Sequence, residues 1–393
     1  MKPSGIQRRI EGELAKLREA AQFRRLSASE GVSFCSNDYL ALARDARLRE
    51  ATREAVDGAG RVGSTGSRLL SGNAAEWEAA ETEFAEFAGT EAALYFTSGY
   101  TANVGLLSAV LKAGDTVFSD AANHASLIDG IRLSKAEKVI YSHGDFTALE
   151  MALARAQKKS APGGARVIVS ETTFSMDGDS PELADLFSLA GRYDAEVILD
   201  EAHSTGVSGP RGRGLAAASG REREALAVMH ACGKALGSAG AFICCSATLK
   251  SYLVNHARGF IFSTAAPPYL AGQVRMALRL AREADDKRVH LRDLSRSLRG
   301  RLRAAHFSVP EGDSPIVPVI IGDNAAALHY AEYLQERGFD VRAIRPPTVA
   351  EGTSRLRLSL TASLTRADIE RVAECIIAAR ESIHQSFSAT ASR

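Results

Sequence analysis

The sequence predicts an α/β fold with a largely parallel sheet, followed by a smaller α+β region. From about residue 90, short apolar runs alternate with stretches of helical periodicity, a pattern typical of parallel sheets. The runs are apolar at nearly every position, as expected of strands buried on both faces. The predicted strands are Ala92–Phe96, Thr116–Ser119, Val139–Tyr141, Val167–Ser170, Val197–Leu199, Ala227–His230 and Ala241–Cys244.

Different patterns flank this region. Apolar residues recur at helical spacing from Ile6 to Leu17, which predicts an amphipathic first helix, and a short strand is predicted at Val32–Cys35. Residues 269–305 form a long Arg-rich helical pattern. Beyond it we predict strands at Ile316–Ile321, Val341–Ile344 and Arg355–Leu360, and helices near 324–337 and 366–385. We therefore expect an N-terminal helix and arm over residues 1–45, a large α/β domain over 46–270 and a small α+β domain over 271–393.

Composition excludes several classes of protein. The chain has 393 residues, of which 45% are hydrophobic and 24% charged, so disordered and fibrous proteins are excluded. Lys and Arg number 48 against 47 Asp and Glu, so no general attraction to nucleic acid or to anionic membranes is expected. The five cysteines form no C-x-x-C pair, and no apolar run approaches the roughly 20 residues of a membrane span. We expect a cytoplasmic protein with reduced thiols and without a metal site.

Three segments carry the chemistry. Asp200 follows the predicted strand Val197–Leu199, and the carboxyl ends of parallel strands face the crevice where such sheets bind ligands. Lys234 lies among small residues that a ligand can approach closely. Thr97–Asn103 joins a strand to a helix start, whose N–H groups suit a phosphate. Together they match pyridoxal phosphate, which needs a lysine for a Schiff base, an acid at its ring nitrogen and an anion site.

Each segment also has a simpler interpretation. An isolated Asp at a strand end commonly caps a helix. Lys234 is followed by Ala235, whereas a P-loop would place Ser or Thr there. The Arg-rich pattern over 275–303 is typical of a solvated helix face. The order and spacing of the three segments on one α/β pattern favour the cofactor site.

The chain resembles the α-oxoamine synthase family, pyridoxal-phosphate enzymes of the aminotransferase-like fold type I. The segments that carry the resemblance extend over nearly the whole chain. They are Phe34–Leu40, Gly66–Gly72, Thr97–Asn103, Asn123–Ser126, Glu171–Gly178, Asp200–Gly206 and Gly233–Gly237. The resemblance implies a decarboxylative condensation of an amino acid with an acyl thioester, in a homodimer.

The resemblance also implies roles for individual residues. Lys234 would bind the cofactor covalently and remove the Cα proton, and Asp200 would pair with the ring nitrogen. His203 would hydrogen-bond the ring hydroxyl oxygen, with Ser175 nearby, and His124 would stack on the ring. The residues expected at the phosphate are Ser98, Gly99 and Tyr100, with Ser263 and Thr264 reaching it from a partner subunit.

Substrate contacts are implied in the same way. Arg355 would clamp the amino-acid carboxylate, a task that suits a guanidinium group, and Asn37 would lie at the substrate entrance. Arg24 or Arg25 would bind the far carboxylate of a dicarboxylic acyl chain; a solvated surface pair is an equally open interpretation. The run from Ala343 to Leu358 most resembles members that condense L-alanine with a pimeloyl thioester of coenzyme A or acyl carrier protein in biotin synthesis.

Three positions depart from the family pattern. Many relatives have Thr where Ala231 stands, and often His where Trp77 and Leu364 stand. The missing hydroxyl at position 231 removes one donor to the phosphate. The competing functions are a family member that uses glycine or serine with another acyl thioester, an ordinary aminotransferase and a cofactor-free binding protein.

Overall fold

The computed structural model describes residues 4–28, 30–159 and 163–391. Contacts divide the chain into two compact units. The larger contains residues 38–175 and 179–288, and the smaller contains residues up to 37, residues 176–178 and residues from 289 onward. The domain boundaries predicted near residues 45 and 270 stay predictions.

Each predicted strand corresponds to an observed one, and Phe339–Asp340 is an additional strand. The strands are β1 (Val32–Ser33), β2 (Ala92–Phe96), β3 (Thr116–Asp120), β4 (Glu137–Tyr141), β5 (Arg166–Glu171), β6 (Glu196–Asp200), β7 (Ala227–Ala231), β8 (Ala241–Cys245), β9 (Ile316–Gly322), β10 (Phe339–Asp340), β11 (Ala343–Ile344) and β12 (Ser354–Ser359). The helices are α1 (Gly5–Glu19), α2 (Ala46–Gly58), α3 (Ala75–Ala88), α4 (Gly99–Val110), α5 (Ala125–Leu133), α6 (Phe146–Lys159), α7 (Leu183–Arg192), α8 (Leu215–Ala218), α9 (Ala247–His256), α10 (Arg258–Ile261), α11 (Pro268–Arg282), α12 (Asp285–Ala304), α13 (Asn324–Gln335) and α14 (Arg366–Ala391), with a 3-10 turn at Pro210–Gly212.

The sheet of the larger unit is mostly parallel, as predicted. Among the described residues it has seven strands in the order β2-β8-β7-β6-β5-β3-β4. Only β8 runs against its neighbours, pairing antiparallel with both β2 and β7. This reversal was not predicted, because a strand's apolar run does not encode its direction.

The core lies on both faces of this sheet. Val167 and Val169 belong to one apolar cluster and the intervening Ile168 to the other. All three side chains are at most 3% exposed, and burying each stabilises the fold by roughly 1.5–3 kcal/mol. Burial on both faces therefore explains the continuous apolar runs.

The smaller unit contains an antiparallel sheet of order β11-β12-β9 and a parallel pair, β1 and β10. Helix α1 has no buried residue: Ile6 is 64% exposed, whereas Leu14 and Leu17 are partly buried. None of the described helices is long and apolar enough to cross a membrane.

The interpretation of the Arg-rich pattern as a solvated face is wrong at two positions. Arg288 and Arg299 are buried and donate to backbone carbonyls, Arg288 to Gly206 (3.0 Å) and Arg299 to Ile316 (2.6 Å). Guanidinium groups are suited to this task because their several donors can satisfy carbonyl groups that lack other partners. The pattern also divides into two helices, α11 and α12, rather than one.

Candidate active site

A cavity of about 350 Å³ opens in the larger unit at the carboxyl ends of the central strands. Parallel pairing places Glu171 of β5 opposite Asp200 of β6, so both acids reach the same edge of the sheet. The start of α4, His124 and Lys234 also line this cavity. The three segments that the sequence singled out are therefore brought together.

Lys234 lies in the loop between the antiparallel strands β7 and β8. The Cys232 N–H donates to the Gly240 carbonyl (2.8 Å), which closes the base of this loop. The Lys234 Nζ lies 2.7 Å from the His203 Nε2, and the His203 Nδ1 lies 2.7 Å from the Tyr39 hydroxyl. This chain of contacts holds the amine in place. Tyr39 belongs to Phe34–Leu40, one of the segments that carry the family resemblance, but no role was predicted for it.

Asp200 is 3% exposed and is held by two donors. Its Oδ1 accepts from the Ala202 N–H (2.8 Å), and its Oδ2 accepts from the Asn103 side-chain amide (2.7 Å). Both bonds fix the orientation of the carboxylate at the cavity wall. Sequence reasoning missed Asn103, whose position one helical turn inside α4 was the available signal.

His124 joins the same network. Its Nδ1 accepts from the Ser126 N–H (3.2 Å) and so caps α5, and it lies 2.8 Å from the Ser126 hydroxyl. That hydroxyl accepts from Asn103 (2.9 Å), so contacts run continuously from His124 to Asp200. Burial lowers the pKa of His124, which makes the imidazole neutral at pH 7.

Glu171 is a buried acid for which no role was predicted. It is 1% exposed, and its Oε1 has no hydrogen-bond partner in the described part of the chain. Burial, with a further contribution from Asp200, raises the pKa of Glu171 well above its usual range. Burial therefore favours the protonated form of Glu171, which lessens its repulsion with the neighbouring Asp200.

The start of α4 has the geometry of an anion site. Ser98 is its N-cap, and Ser98 and Thr101 form a reciprocal capping box. The N–H groups of Gly99 and Tyr100, in the first helical turn, have no acceptor within the helix. The Tyr100 hydroxyl donates to the Asp129 carboxylate. The role of the Tyr100 backbone N–H at the phosphate stays a prediction.

Ser175, Ser263 and Thr264 are predicted cofactor residues that do not line the Lys234 cavity. Ser175 is buried shortly after β5. Ser263 and Thr264 line a separate cleft of about 20 Å³ rather than the Lys234 cavity. Two hydrogen bonds fix the segment that contains them: the Trp77 indole N–H (3.1 Å) and the Ser64 hydroxyl (2.7 Å) both donate to the Ala266 carbonyl.

In the smaller unit, the predicted carboxylate clamp Arg355 is ion-paired with Asp177, a partner that sequence reasoning missed. Arg357, two residues further along β12, donates to the Asn37 side-chain oxygen (3.1 Å). Both arginines are more than 90% buried. The predicted substrate residue Asn37 therefore neighbours Arg357.

Arg24 lies near a second arginine. Its guanidinium donates to the Thr348 hydroxyl (3.2 Å). Arg345 is 9% exposed, and its Nε has no hydrogen-bond partner among the residues with described coordinates. Burial and the charge of Arg24 lower the pKa of Arg345. Two neighbouring cations, one with a buried orphan donor, make a site suited to a carboxylate or another anion.

The residues of the cavity fit pyridoxal phosphate. They supply an amine, an acid, a neutral imidazole and an anion-binding helix start. The Glu171 Oε1 and Asn103 Oδ1, both without a protein partner in the described chain, add unsatisfied polar atoms that a polar ligand would meet. The volume of the cavity is in the range usual for small-molecule sites.

Comparisons with known proteins agree with this geometry. Residues 29–376 match the family model for aminotransferase class I and II. The chain is 43% identical over 352 residues to 8-amino-7-oxononanoate synthase from Aromatoleum aromaticum, covering 90% of each chain. It is 45% identical over 354 residues to the enzyme of the same name from Burkholderia thailandensis, covering 88% of each.

Solved structures extend the likeness. A serine palmitoyltransferase from S. paucimobilis, with bound PLP and myriocin, is 29% identical with a TM-score of 0.88, and the match covers 97% of this chain and 100% of that one. An 8-amino-7-oxononanoate synthase from Francisella tularensis is 29% identical with a TM-score of 0.76, covering 91% and 99%. These likenesses confirm the predicted fold type I, the predicted family and pyridoxal phosphate as the cofactor.

Proposed function

Because the chain belongs to the aminotransferase class I and II family, we propose that it condenses L-alanine with a pimeloyl thioester, releasing CO2 and forming 8-amino-7-oxononanoate. The observation that carries this proposal is 43% and 45% identity, over 90% and 88% of the chain, to two synthases of that name. When bound, pyridoxal phosphate supplies a ring that delocalises the negative charge left at the amino-acid Cα.

Lys234 is the proposed covalent attachment point and general base. Its Nζ takes the Cα proton, and the His203 Nε2, 2.7 Å away, orients the amine. The Tyr39 hydroxyl fixes the other nitrogen of His203 and thereby its ring plane. A positioned base of this kind contributes about 10²- to 10⁴-fold to the rate.

Asp200 and Glu171 are neighbouring acids, and we assign only Asp200 to the cofactor. Asp200, oriented by Asn103 and Ala202, would hold the proton on the ring nitrogen of the cofactor. The raised pKa of Glu171 favours its protonated form, which lessens the negative charge beside Asp200. The neutral His124 would lie against the ring face.

Arginine side chains are the proposed partners of the two substrate carboxylates. The amino-acid carboxylate would bind beside Asn37, where Arg357 is an alternative to the predicted Arg355. The far carboxylate of the acyl chain would bind Arg24 together with Arg345. The thioester is one of coenzyme A or of acyl carrier protein, and the protein acts in the cytoplasm as a homodimer in which Ser263 and Thr264 of one chain reach the phosphate of the other.

A substrate matrix tests this function. L-alanine, glycine and L-serine are each paired with pimeloyl, acetyl and palmitoyl thioesters, and CO2 and product mass are measured. We expect turnover to be fastest with L-alanine and the pimeloyl thioester. Turnover confined to L-serine with the palmitoyl thioester would assign the activity named for the serine palmitoyltransferase structures instead. Amino transfer to a keto acid without CO2 release would indicate an ordinary aminotransferase.

A further inference from the structure

An imidazole outside the cavity bridges two carboxylates. His143, which follows β4, has its Nδ1 2.8 Å from the Asp120 Oδ1 and its Nε2 2.8 Å from the Asp179 Oδ2. The edge of the Phe174 ring packs against the imidazole at a centroid distance of 4.4 Å. Both ring nitrogens face acceptors, so the geometry suits an imidazolium that donates from both sides.

The first carboxylate organises the turn that leads to His124. Asp120 ends β3 and is 3% exposed. Its Oδ1 also accepts from the Ala122 N–H (2.8 Å), and its backbone carbonyl accepts from the Asn123 N–H (3.2 Å). The next residue is His124, so the orientation of Asp120 is coupled to a cavity side chain.

The second carboxylate organises the turn that carries Ser175. The Asp179 carbonyl accepts from the Phe174 N–H (2.9 Å), which closes the turn after β5. Ser175 lies inside this turn. His143 thus connects the outer ends of two turns whose inner ends meet at Glu171, since the backbone N–H groups of His124 and Ser175 both lie near its carboxyl group.

We infer that His143 is a positioning residue for the cavity, a cationic brace that joins the Asp120 turn to the Asp179 turn and so fixes His124 relative to Ser175. The inference rests on the proposed function, because it assigns both residues to the cofactor. Among the described residues, the charged groups that face His143 are Asp120 and Asp179. Their hydrogen bonds raise the pKa of His143 to about 10, so the brace persists throughout the neutral range.

A surface ion pair without functional consequence is the competing interpretation. Partly exposed pairs usually contribute little to stability, and the side chains of His143 and Asp179 are 33% and 47% exposed. The two interpretations differ in catalysis rather than in stability. A small displacement of a positioned catalytic group can reduce the reaction rate by up to about 10²-fold. The loss of a surface ion pair without a functional role leaves the reaction rate unchanged.

The test replaces the imidazole of His143 with a ring that has no nitrogens. In His143→Phe the ring contact with Phe174 is retained and both hydrogen bonds are lost; Asp179→Asn is a milder variant at a half-exposed side chain. His256→Phe is the matched control, because His256 is exposed and stacks on Tyr252 (4.2 Å), a contact that Phe keeps. We measure kcat, KM for L-alanine, the absorption band of the bound cofactor and, in cofactor-free protein, the protonation of the histidine nitrogens by ¹⁵N NMR.

We expect about a tenfold lower kcat and a displaced absorption band for His143→Phe, and about threefold lower kcat for Asp179→Asn. The double variant should be no slower than His143→Phe, because both changes break one brace. The control should stay within about twofold of the parent. A folded His143→Phe protein with parental kcat and absorption band would overturn the inference, as would one unprotonated ring nitrogen on His143 at pH 8. A parent that forms no product would refute the proposed function, while the NMR result would still decide whether the brace exists.

Discussion

Asp200 and Glu201 are adjacent in sequence, but the side chain of Asp200 lines the cavity and that of Glu201 lies in the protein interior. Asp200 faces the cavity and is met by two donors. Glu201 is 0% exposed, its Oε1 accepts from the Ala216 N–H (2.7 Å), and its Oε2 has no hydrogen-bond partner in the described residues. Burial raises the pKa of Glu201 to about 8. The comparison teaches that the face on which an acid lies, and the donors it meets there, decide whether it is available to a ligand.

The buried side contains a second neutral group. His230 lies 3.7 Å from the Glu201 Oε2, and burial lowers the pKa of His230 to about 3. Its Nδ1 lies 2.9 Å from the Thr205 hydroxyl. A neutral acid beside a neutral imidazole is a structural arrangement, whereas the cavity side combines an acid with an amine and an anion site.

The largest effect should come from the amine on the cavity side. Lys234→Ala removes both the attachment point and the base, so we expect product formation to fall by more than about 10³-fold. The absorption band of the cofactor in this variant should also differ from that of the parent. A variant that retained parental turnover would show that the cavity side is not the catalytic side.

The two adjacent acids give the sharpest form of the comparison. Asp200→Asn should lower kcat by about 10²-fold or more, because it removes the charge that would hold the ring-nitrogen proton. Glu201→Gln should leave kcat within about threefold, because the residue already lacks a charge at pH 7. Comparable losses of kcat in the two variants would break the distinction; circular dichroism checks that both fold.

A related contrast in the smaller unit separates Arg355 from Arg357. Arg357→Lys should raise KM for L-alanine about tenfold, since a bidentate guanidinium contact would be lost beside Asn37. Arg355→Lys should act mainly through its Asp177 pair and change KM less. Steady-state kinetics at saturating thioester measures both, and the reverse order would favour Arg355 as the clamp.

The pH dependence of stability tests the buried side alone. The folded-state pKa of Glu201, about 8, exceeds the unfolded value near 4.5. Between these values the unfolded chain ionises and the folded chain does not, so stability falls as pH rises from about 5 to 8. Glu201→Gln should flatten this decline by an amount on the order of a few kcal/mol, measured by urea unfolding at several pH values. An unchanged slope would mean that Glu201 is ionised in the fold.

The smallest effect concerns the phosphate side of the cavity. Ala231 lines the cavity three residues before Lys234, at a position where the resemblance to the α-oxoamine synthase family leads us to expect Thr. Ala231→Thr should tighten cofactor binding a few-fold by adding one hydroxyl donor. Equilibrium titration with pyridoxal phosphate measures the change, with Ala231→Val as the control of similar shape that lacks the hydroxyl. Equal affinities of the two variants would assign any gain to shape.

Much of the cavity could be predicted because its residues stand in contiguous segments with a fixed relation to strand ends. Asp200 and Lys234 are of this kind. The sequence did not reveal pKa shifts or long-range partners: burial and Asp200 raise the pKa of Glu171, and Arg355 is paired with Asp177, 178 residues away in sequence. Such relations depend on the packed structure and leave no local pattern.

The strands of the fold were also predictable, because each strand is one contiguous apolar segment. Seven predicted strands of the larger unit correspond to β2–β8 within one or two residues at each end. The direction of β8 and the burial of Arg288 were not predictable, because both depend on which segments become neighbours after folding.

The position of β8 has a consequence for biosynthesis. β2, which leads into the anion-binding start of α4, has no sheet partner other than β8 among the described strands, and Phe96 pairs with Ala241. A ribosome must therefore release some 150 further residues before that edge can close. Until then the nascent chain exposes an unpaired apolar strand, a state that is prone to aggregation and to chaperone binding.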